Sequence, residues 1–319
     1  MTLRLLPPLL LGVAVLAAVL WRFDLGLVVQ SLKPVGLEGF ALIVLAGLAA
    51  EIVLAVGICP LLPRPVALAR VVAARQLRDS TGDVLPITQF GGVMFAARAL
   101  VLAGMGAAEA SAAVIADVTT ELFAQGLYVL VGVSASLSLL DRSAALSPYV
   151  DAMLGGALFL SAGSIAFALI QLNGGPWVDR LGDRLFASRI AQVQAFHDTI
   201  HAIYRRHARV AQSVLLQLAG WMASGLWLWV VLRTMGLSPG FWAAIAIQAL
   251  VEGLRSATVF VPAAVGIQEA GYAALAPVFG LAPEIGLAIS LIRRARDLVV
   301  AVPVLLIWQV FEGRRACRV

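Results

Sequence analysis

Seven long apolar stretches constrain this chain more than anything else in it; they run at about Leu5–Leu20, Val35–Leu62, Ala110–Val133, Tyr149–Leu172, Val210–Leu232, Phe241–Val261 and Ile285–Phe311. Stretches of about 20 apolar residues are long enough to cross a hydrocarbon core of about 30 Å as helices. Inside lipid each span must satisfy its own backbone N–H and C=O groups, and strand-like alternation is absent, so helices are expected. Composition agrees: 61% of the 319 residues are hydrophobic and 13% are charged, against roughly 45–50% and about 25% in soluble domains. The expected fold is an all-α integral membrane protein, a polytopic helical bundle of about seven to eight spans with two broken or re-entrant elements, forming one membrane domain over residues 1–319. The first run follows Arg4 without a small-x-small cleavage signal and reads as a retained signal anchor. Net charge +5 is explained by basic loops facing anionic lipid, so no nucleic-acid partner is expected.

Two shorter Pro/Gly-rich apolar pieces, about Val84–Gly104 and Pro262–Gly280, complicate the count of crossings. Arg64, Arg70, Arg75 and Arg78 crowd one connection, and Arg180, Arg184, Arg189, Arg205, Arg206 and Arg209 crowd another, so both read as cytoplasmic. Three apolar pieces separate them, which makes Val84–Gly104 an element that enters and leaves on one side. Treating Pro262–Gly280 alike gives seven crossings and puts the tail from Arg314 to Arg318 outside, against the charge rule; the parity stays open.

Residues 1–172 form a first half and 210–319 a second. Between them, 173–209 reads as an amphipathic cytoplasmic connection, with Leu181, Leu185, Ile190, Val193, Phe196, Ile200 and Ile203 spaced along one helical face. His197 and His201 have the i,i+4 spacing of a metal pair, but no third ligand follows, so no metal site is expected. Cys59 and Cys317 are far apart and suggest neither a disulfide nor a metal site.

Placing Pro86 over Pro262 also places Gly104 over Gly280, each before a short acidic turn ending at Glu109 or Glu284. A charged apolar helix follows in both cases, with Asp117 and Glu121 in the first and Arg293, Arg294, Arg296 and Asp297 in the second. An internal repeat of broken element, turn and charged helix is the pattern of transporters that hold substrate at the repeat interface. A charge at the centre of a span costs about 2.5–3.5 kcal/mol on insertion scales, so these residues must face one another, water or a headgroup. Asp117 and Glu121 repel at i,i+4 and need a cation, for which Arg98 or an arginine of the second copy is the candidate. Glu252 with Arg255, and Arg293 or Arg294 with Asp297, have intrahelical pairing distance. In "VFVPAAVGIQEAGYAAL", Pro262 removes a donor and Gly266 relieves steric restraint, so a break there would aim Gln268 and Glu269 into an enclosed cavity. Pro86, Gly91 and Gly92 mark the corresponding break in the first copy.

"LPITQFGGVMFAARAL", "AAVIADVTTELFAQ", "VFVPAAVGIQEAGYAAL" and "ISLIRRARDLVVAVPVLLIWQ", in that order, resemble the successive motifs of the lysylphosphatidylglycerol synthase transmembrane-region family, also called flippase-like proteins. They are most similar to its hopanoid-biosynthesis-associated branch. The resemblance runs from about Arg70 to Gln309 and implies a multi-pass protein of the bacterial inner membrane that moves or handles lipids. It carries the family's polar signature onto Gly91, Gly92, Arg98, Asp117, Glu121, Pro262, Gly266, Gln268, Glu269, Arg293, Arg294, Arg296 and Asp297. Two positions depart: Val93 stands where an acidic residue is usual, and Pro262-Ala263-Ala264 where Pro-Gly is usual. The separate aminoacyl-transfer module of bifunctional members is not expected in the ten residues after Gln309.

The expected function is a non-enzymatic lipid translocase, with hopanoid or polar phospholipid as partner, lipid-biosynthesis enzymes as further candidate partners, and no cofactor. The expected lipid-binding residues are Arg98, Asp117, Glu121, Gln268, Glu269, Arg293, Arg294, Arg296 and Asp297. Two alternatives stand beside it. One is a membrane-embedded enzyme using Asp117, Glu121 or Glu269 as acid or base, although no nucleophile motif, metal constellation or nucleotide loop accompanies them. The other is a scaffold that recruits lipid-synthesis enzymes through residues 173–209.

Overall fold

The computed structural model describes residues 30, 32–84, 89–139, 147–173, 190–257 and 266–316. The expected signal anchor, Pro86, Pro262, Cys317 and Arg180, Arg184 and Arg189 lie outside the described residues. Within them the chain is all-helical, with ten α-helices: α1 (Gly36–Val56), α2 (Leu68–Val84), α3 (Gln89–Leu102), α4 (Ala107–Leu139), α5 (Ser147–Asn173), α6 (Ile190–Tyr204), α7 (His207–Thr234), α8 (Phe241–Ala257), α9 (Ile267–Leu275) and α10 (Pro283–Ala316). By length and composition, three segments among the described residues are able to cross a membrane: Gly36–Leu61, α4 and α7. α10 is longer, at 34 residues, with Pro303 inside it and arginines along its first half.

The distribution of side chains is that of a bundle built for lipid. Leu42 and Leu45 of α1, Leu158 and Phe159 of α5, and Leu306 and Ile307 of α10 are exposed, while Asp117, Glu252, Glu269, Gln217 and Arg293 are buried. Apolar groups lose nothing by facing hydrocarbon, whereas charges left there would be costly, so the polar residues collect inside. Trp227 of α7 anchors one apolar core with Ile43, Val129, Ile247 and Tyr272. A second core joins Val71 and Ala74 of α2, Leu100 of α3, alanines of α4, and Ile200 and Ile203 of α6. The small side chains of α4 let its neighbours approach closely. The apolar face of α6 is therefore covered by protein, and Tyr204 ties it down by donating to Gln171 of α5 at 2.8 Å.

α2 and α3 form an antiparallel pair: Val71 and Ala74 share a core with Ala96 and Leu100, and Gly92 meets the Arg78 carbonyl so closely that an added Cβ would clash with it. This corrects two expectations. Arg75 and Arg78 belong to a buried helix, not to a surface connection, and only Arg64 and Arg70 of that group stay exposed. Gly91 and Gly92 lie inside α3 and do not break it; Gly92 admits the neighbouring backbone. α8 and α9 are arranged alike, with Gly271 against Leu254 and Val251. Each pair leads through a left-handed glycine, Gly104 (φ 102) or Gly280 (φ 75), into a long helix, α4 or α10. Glycine reaches such φ values without steric penalty.

Candidate functional site

Helical spacing gathers the charges. On α2, Arg75, Arg78 and Asp79 fall at i, i+3 and i+4, and on α4 Asp117 and Glu121 fall at i and i+4, so each set shares one face. Where the faces meet, Glu121 accepts from Arg75 and from Arg78, both at 2.5 Å. Asp79 accepts from the same two arginines at 2.6 and 3.1 Å. Asp117 lies 3.2 Å from Arg78 and 3.9 Å from Arg75, and takes a 2.6 Å hydrogen bond from the Gln217 amide of α7. Removing one partner from such a buried group would cost about 3–5 kcal/mol, which is why the set forms as a unit.

A second network covers the facing side. Arg293 of α10 binds Glu252 of α8 at 2.5 Å and donates to the Tyr272 hydroxyl at 3.1 Å. Tyr272 in turn donates to Gln248, whose amide donates to Glu252 at 3.0 Å. Arg255 also reaches Glu252, at 3.2 Å. Arg296 pairs with Asp297 at 2.5 Å and with Glu51 of α1 at 3.5 Å. Its guanidinium stacks 4.8 Å over the Trp227 ring, a contact of about 2 kcal/mol when desolvated. Glu51 also accepts from Gln76 of α2, which links this network to the first.

Between the networks lies a cavity of about 270 Å³, close to the lower end of small-molecule pockets, about 300 Å³. Its wall carries Arg75, Arg78, Arg255, Arg293 and Arg296 together with Glu51, Asp79, Glu121 and Glu252. Trp221, Ser224 and Trp227 of α7 close one side. Three buried donors on this wall, Arg75 Nη1, Arg293 Nε and Trp221 Nε1, have no hydrogen-bond partner among the described residues. Charges of both signs on the wall can exchange partners with a charged group that enters.

The predicted residues divide. Glu121, Arg293 and Arg296 line the cavity, and Asp117 and Asp297 stand directly behind it as partners of lining arginines. Arg98 is not in the site: it is half exposed and pairs with Glu312 near the end of α10 at 2.8 Å. Its place beside Asp117 and Glu121 is taken by Arg75 and Arg78, which α2 delivers from the opposite helix face. Asp297 pairs with Arg296, not with Arg293 or Arg294. Glu269 does not line the cavity. Gly266, with φ 81, caps α9, and the Glu269 carboxylate turns back to accept the Gly266 N–H at 2.8 Å while Arg294 holds its other oxygen at 3.1 Å. Gln268 is buried outside the cavity wall. His197 and His201 meet each other at 3.0 Å between their Nε2 atoms.

Glu51, Arg75, Arg78 and Asp79 were missed from the sequence. Glu51 was visible as a lone carboxylate inside the most apolar span, and the i, i+3, i+4 spacing of Arg75, Arg78 and Asp79 already described one polar helix face. Among known families, the model described as Lysylphosphatidylglycerol synthase TM region matches residues 9–304. No curated protein and no solved structure matches the chain.

Proposed function

We propose, from the premise that the chain belongs to the lysylphosphatidylglycerol synthase TM-region family, that it is a lipid translocase of the bacterial inner membrane which passes a polar headgroup through the charged cavity. The single observation that carries the reading is that cavity: charges of both signs, supplied by α1, α2, α4, α8 and α10, surround about 270 Å³ inside a bundle whose outer faces are apolar. A headgroup moving through it exchanges one set of charged partners for another and never meets hydrocarbon, while its apolar body stays in lipid. The five arginines on the wall suit the oxygens of a phosphate or polyol headgroup. The lipid we assign is a hopanoid or related polar lipid, on the strength of the motifs' resemblance to the hopanoid-associated branch.

The architecture we assign to this function is a duplicated unit within seven to eight crossings. α2–α3–α4 and α8–α9–α10 follow one order, a helical pair, a left-handed glycine and a long charged helix. The register that puts Gly104 over Gly280 puts Asp117 over Arg293, Glu121 over Asp297 and Gln76 over Glu252. The copies thus oppose each other in sign: arginines on α2 face acids on α4, and an acid on α8 faces an arginine on α10. Opposed signs let each copy bind the opposite end of a dipolar headgroup at the repeat interface.

We read the chain as non-enzymatic, since the carboxylates that line the cavity are held in ion pairs and hydrogen bonds. Purified protein in liposomes with labelled phospholipid or hopanoid tests this. Movement of the label between leaflets supports translocation. Chemical turnover of the headgroup supports an embedded enzyme instead, and neither, with capture of lipid-synthesis enzymes by residues 173–209, supports a scaffold.

A further inference from the structure

Charge does not balance on the side of the site built by α2 and α4. Arg75 and Arg78 face three carboxylates, Asp79, Asp117 and Glu121, all within ion-pair distance. The second network is balanced among the described residues, with Arg255, Arg293, Arg294 and Arg296 against Glu51, Glu252, Glu269 and Asp297. The surplus is therefore local, and it falls on Asp117. Glu121 and Asp79 each receive both arginines at 3.1 Å or less, whereas Asp117 receives one at 3.2 Å and the other at 3.9 Å. Arg75 Nη1, 3.9 Å from Asp117, is buried without a hydrogen-bond partner among the described residues.

The other oxygen of Asp117 faces a neutral group that can act in either sense. Gln217 Nε2 donates to Asp117 Oδ1 at 2.6 Å, and Gln217 Oε1 is buried with no partner. Turning that amide over would present Oε1 to Asp117, where it could accept a proton from a neutral carboxyl. Gly57 lies directly against the Gln217 amide, where an added Cβ would come within 2.6 Å of its carbon, so the amide is confined to this spot. Among the described residues the remaining surroundings hold no further cation: Glu121 shares the helix, Cys59 lies within electrostatic reach, α3 offers Ala96 and Leu100, α6 packs Ile200 and Ile203 against α4, and α7 adds the Ser213 hydroxyl through Thr120. Asp117 also borders a separate void of about 10 Å³ that it shares with Arg75 and Arg78, close to the space of a single water.

We propose that Asp117 is a proton-binding site, neutral at rest with its carboxyl O–H donated to Gln217 Oε1, and that its ionisation draws Arg78 from Glu121 and so changes the charge of the cavity wall. On ionisation the O–H bond breaks, the electron pair stays on the carboxylate and the proton leaves to water. As a device for coupling lipid movement to protons, this rests on the translocase reading; the proton site itself does not.

Infrared difference spectroscopy on the full-length purified protein, titrated from acid to alkaline pH, tests the site directly. Wild type is expected to show a protonated-carboxyl C=O band at neutral pH, lost in Asp117→Asn and kept in Glu269→Gln, which leaves the α2 and α4 charges unaltered. Absence of the band from wild type, or its survival in Asp117→Asn, overturns the proposal. Gln217→Met keeps the test open if Asp117→Asn does not fold: the band should persist at a shifted frequency, and an unshifted band overturns the assignment of its acceptor. In vesicles of labelled phospholipid, a pH gradient should change the rate of leaflet exchange in wild type and not in Asp117→Asn. If the band behaves as expected and no vesicle shows lipid movement, the proton site stands and the translocase reading falls.

Discussion

Truncating Arg78 to alanine would leave Asp117 and Glu121 enclosed with one guanidinium between them, and we expect a stability loss of about 3–5 kcal/mol. Arg98→Ala removes a half-exposed pair with Glu312 and should cost about 1 kcal/mol or less. Unfolding of both variants in detergent checks the contrast. The opposite ranking would follow if Arg98 were the counter-ion of the α4 carboxylates, one of the two candidates the sequence had suggested beside an arginine of the second copy. That suggestion failed for a physical reason. Charge type and hydropathy mark a residue as needing a partner, but the partner is chosen by which helix faces meet, and Arg98 lies on a face of α3 that meets the end of α10. Glu269 teaches the same lesson. Its position after Gly266 was read as an opening into a cavity; α9 does begin there, at a glycine with φ 81, but the carboxylate is used to close the helix end it sits on. Glu269→Gln should therefore lower stability first, by about 1–3 kcal/mol, through the lost Arg294 pair and the weakened cap at Gly266. Thermal unfolding of this variant beside wild type checks it; unchanged stability would contradict the capping role.

Among the helices, Gly286 of α10 lies against the backbone of α9, where an added Cβ would strike the Tyr272 carbonyl and crowd the Ala273 amide. Gly286→Leu should force α9 away from α10 and destabilise the protein by about 1–3 kcal/mol or more, since overpacking against backbone finds little relief. Its effect on unfolding should exceed that of leucine at Gly82, where a Cβ meets nothing. Apolar runs and left-handed glycines made the long helices and the two reversals legible in advance, because each is written in local residue types. The depth of α2 was not legible. Its arginines and polar residues look like an interfacial connection when read alone, and only the matching acidic face of α4 makes their burial favourable.

For the whole molecule, the two arginine-rich connections carry a topological expectation that survives the burial of Arg75 and Arg78. Single cysteines at the exposed positions of Arg64 and Arg206, in a background without Cys59 and Cys317, should be labelled from the same side of the membrane. Labelling from opposite sides would remove the paired helical elements from the count of crossings proposed above. The central claim is that the charged cavity is the route of the headgroup, and Gly82 offers the most direct way to block it. Gly82 lines the cavity, and an added Cβ there touches no neighbour, so Gly82→Trp adds bulk at the cavity wall without a clash at its first side-chain atom. The decisive measurement is leaflet exchange of a labelled polar lipid in liposomes holding equal amounts of wild-type and Gly82→Trp protein, each shown to be folded by its unfolding temperature. The account predicts exchange by wild type and its loss, by tenfold or more on the order of 1.4 kcal/mol or greater in barrier, in the variant; undiminished exchange by a folded Gly82→Trp protein would contradict it.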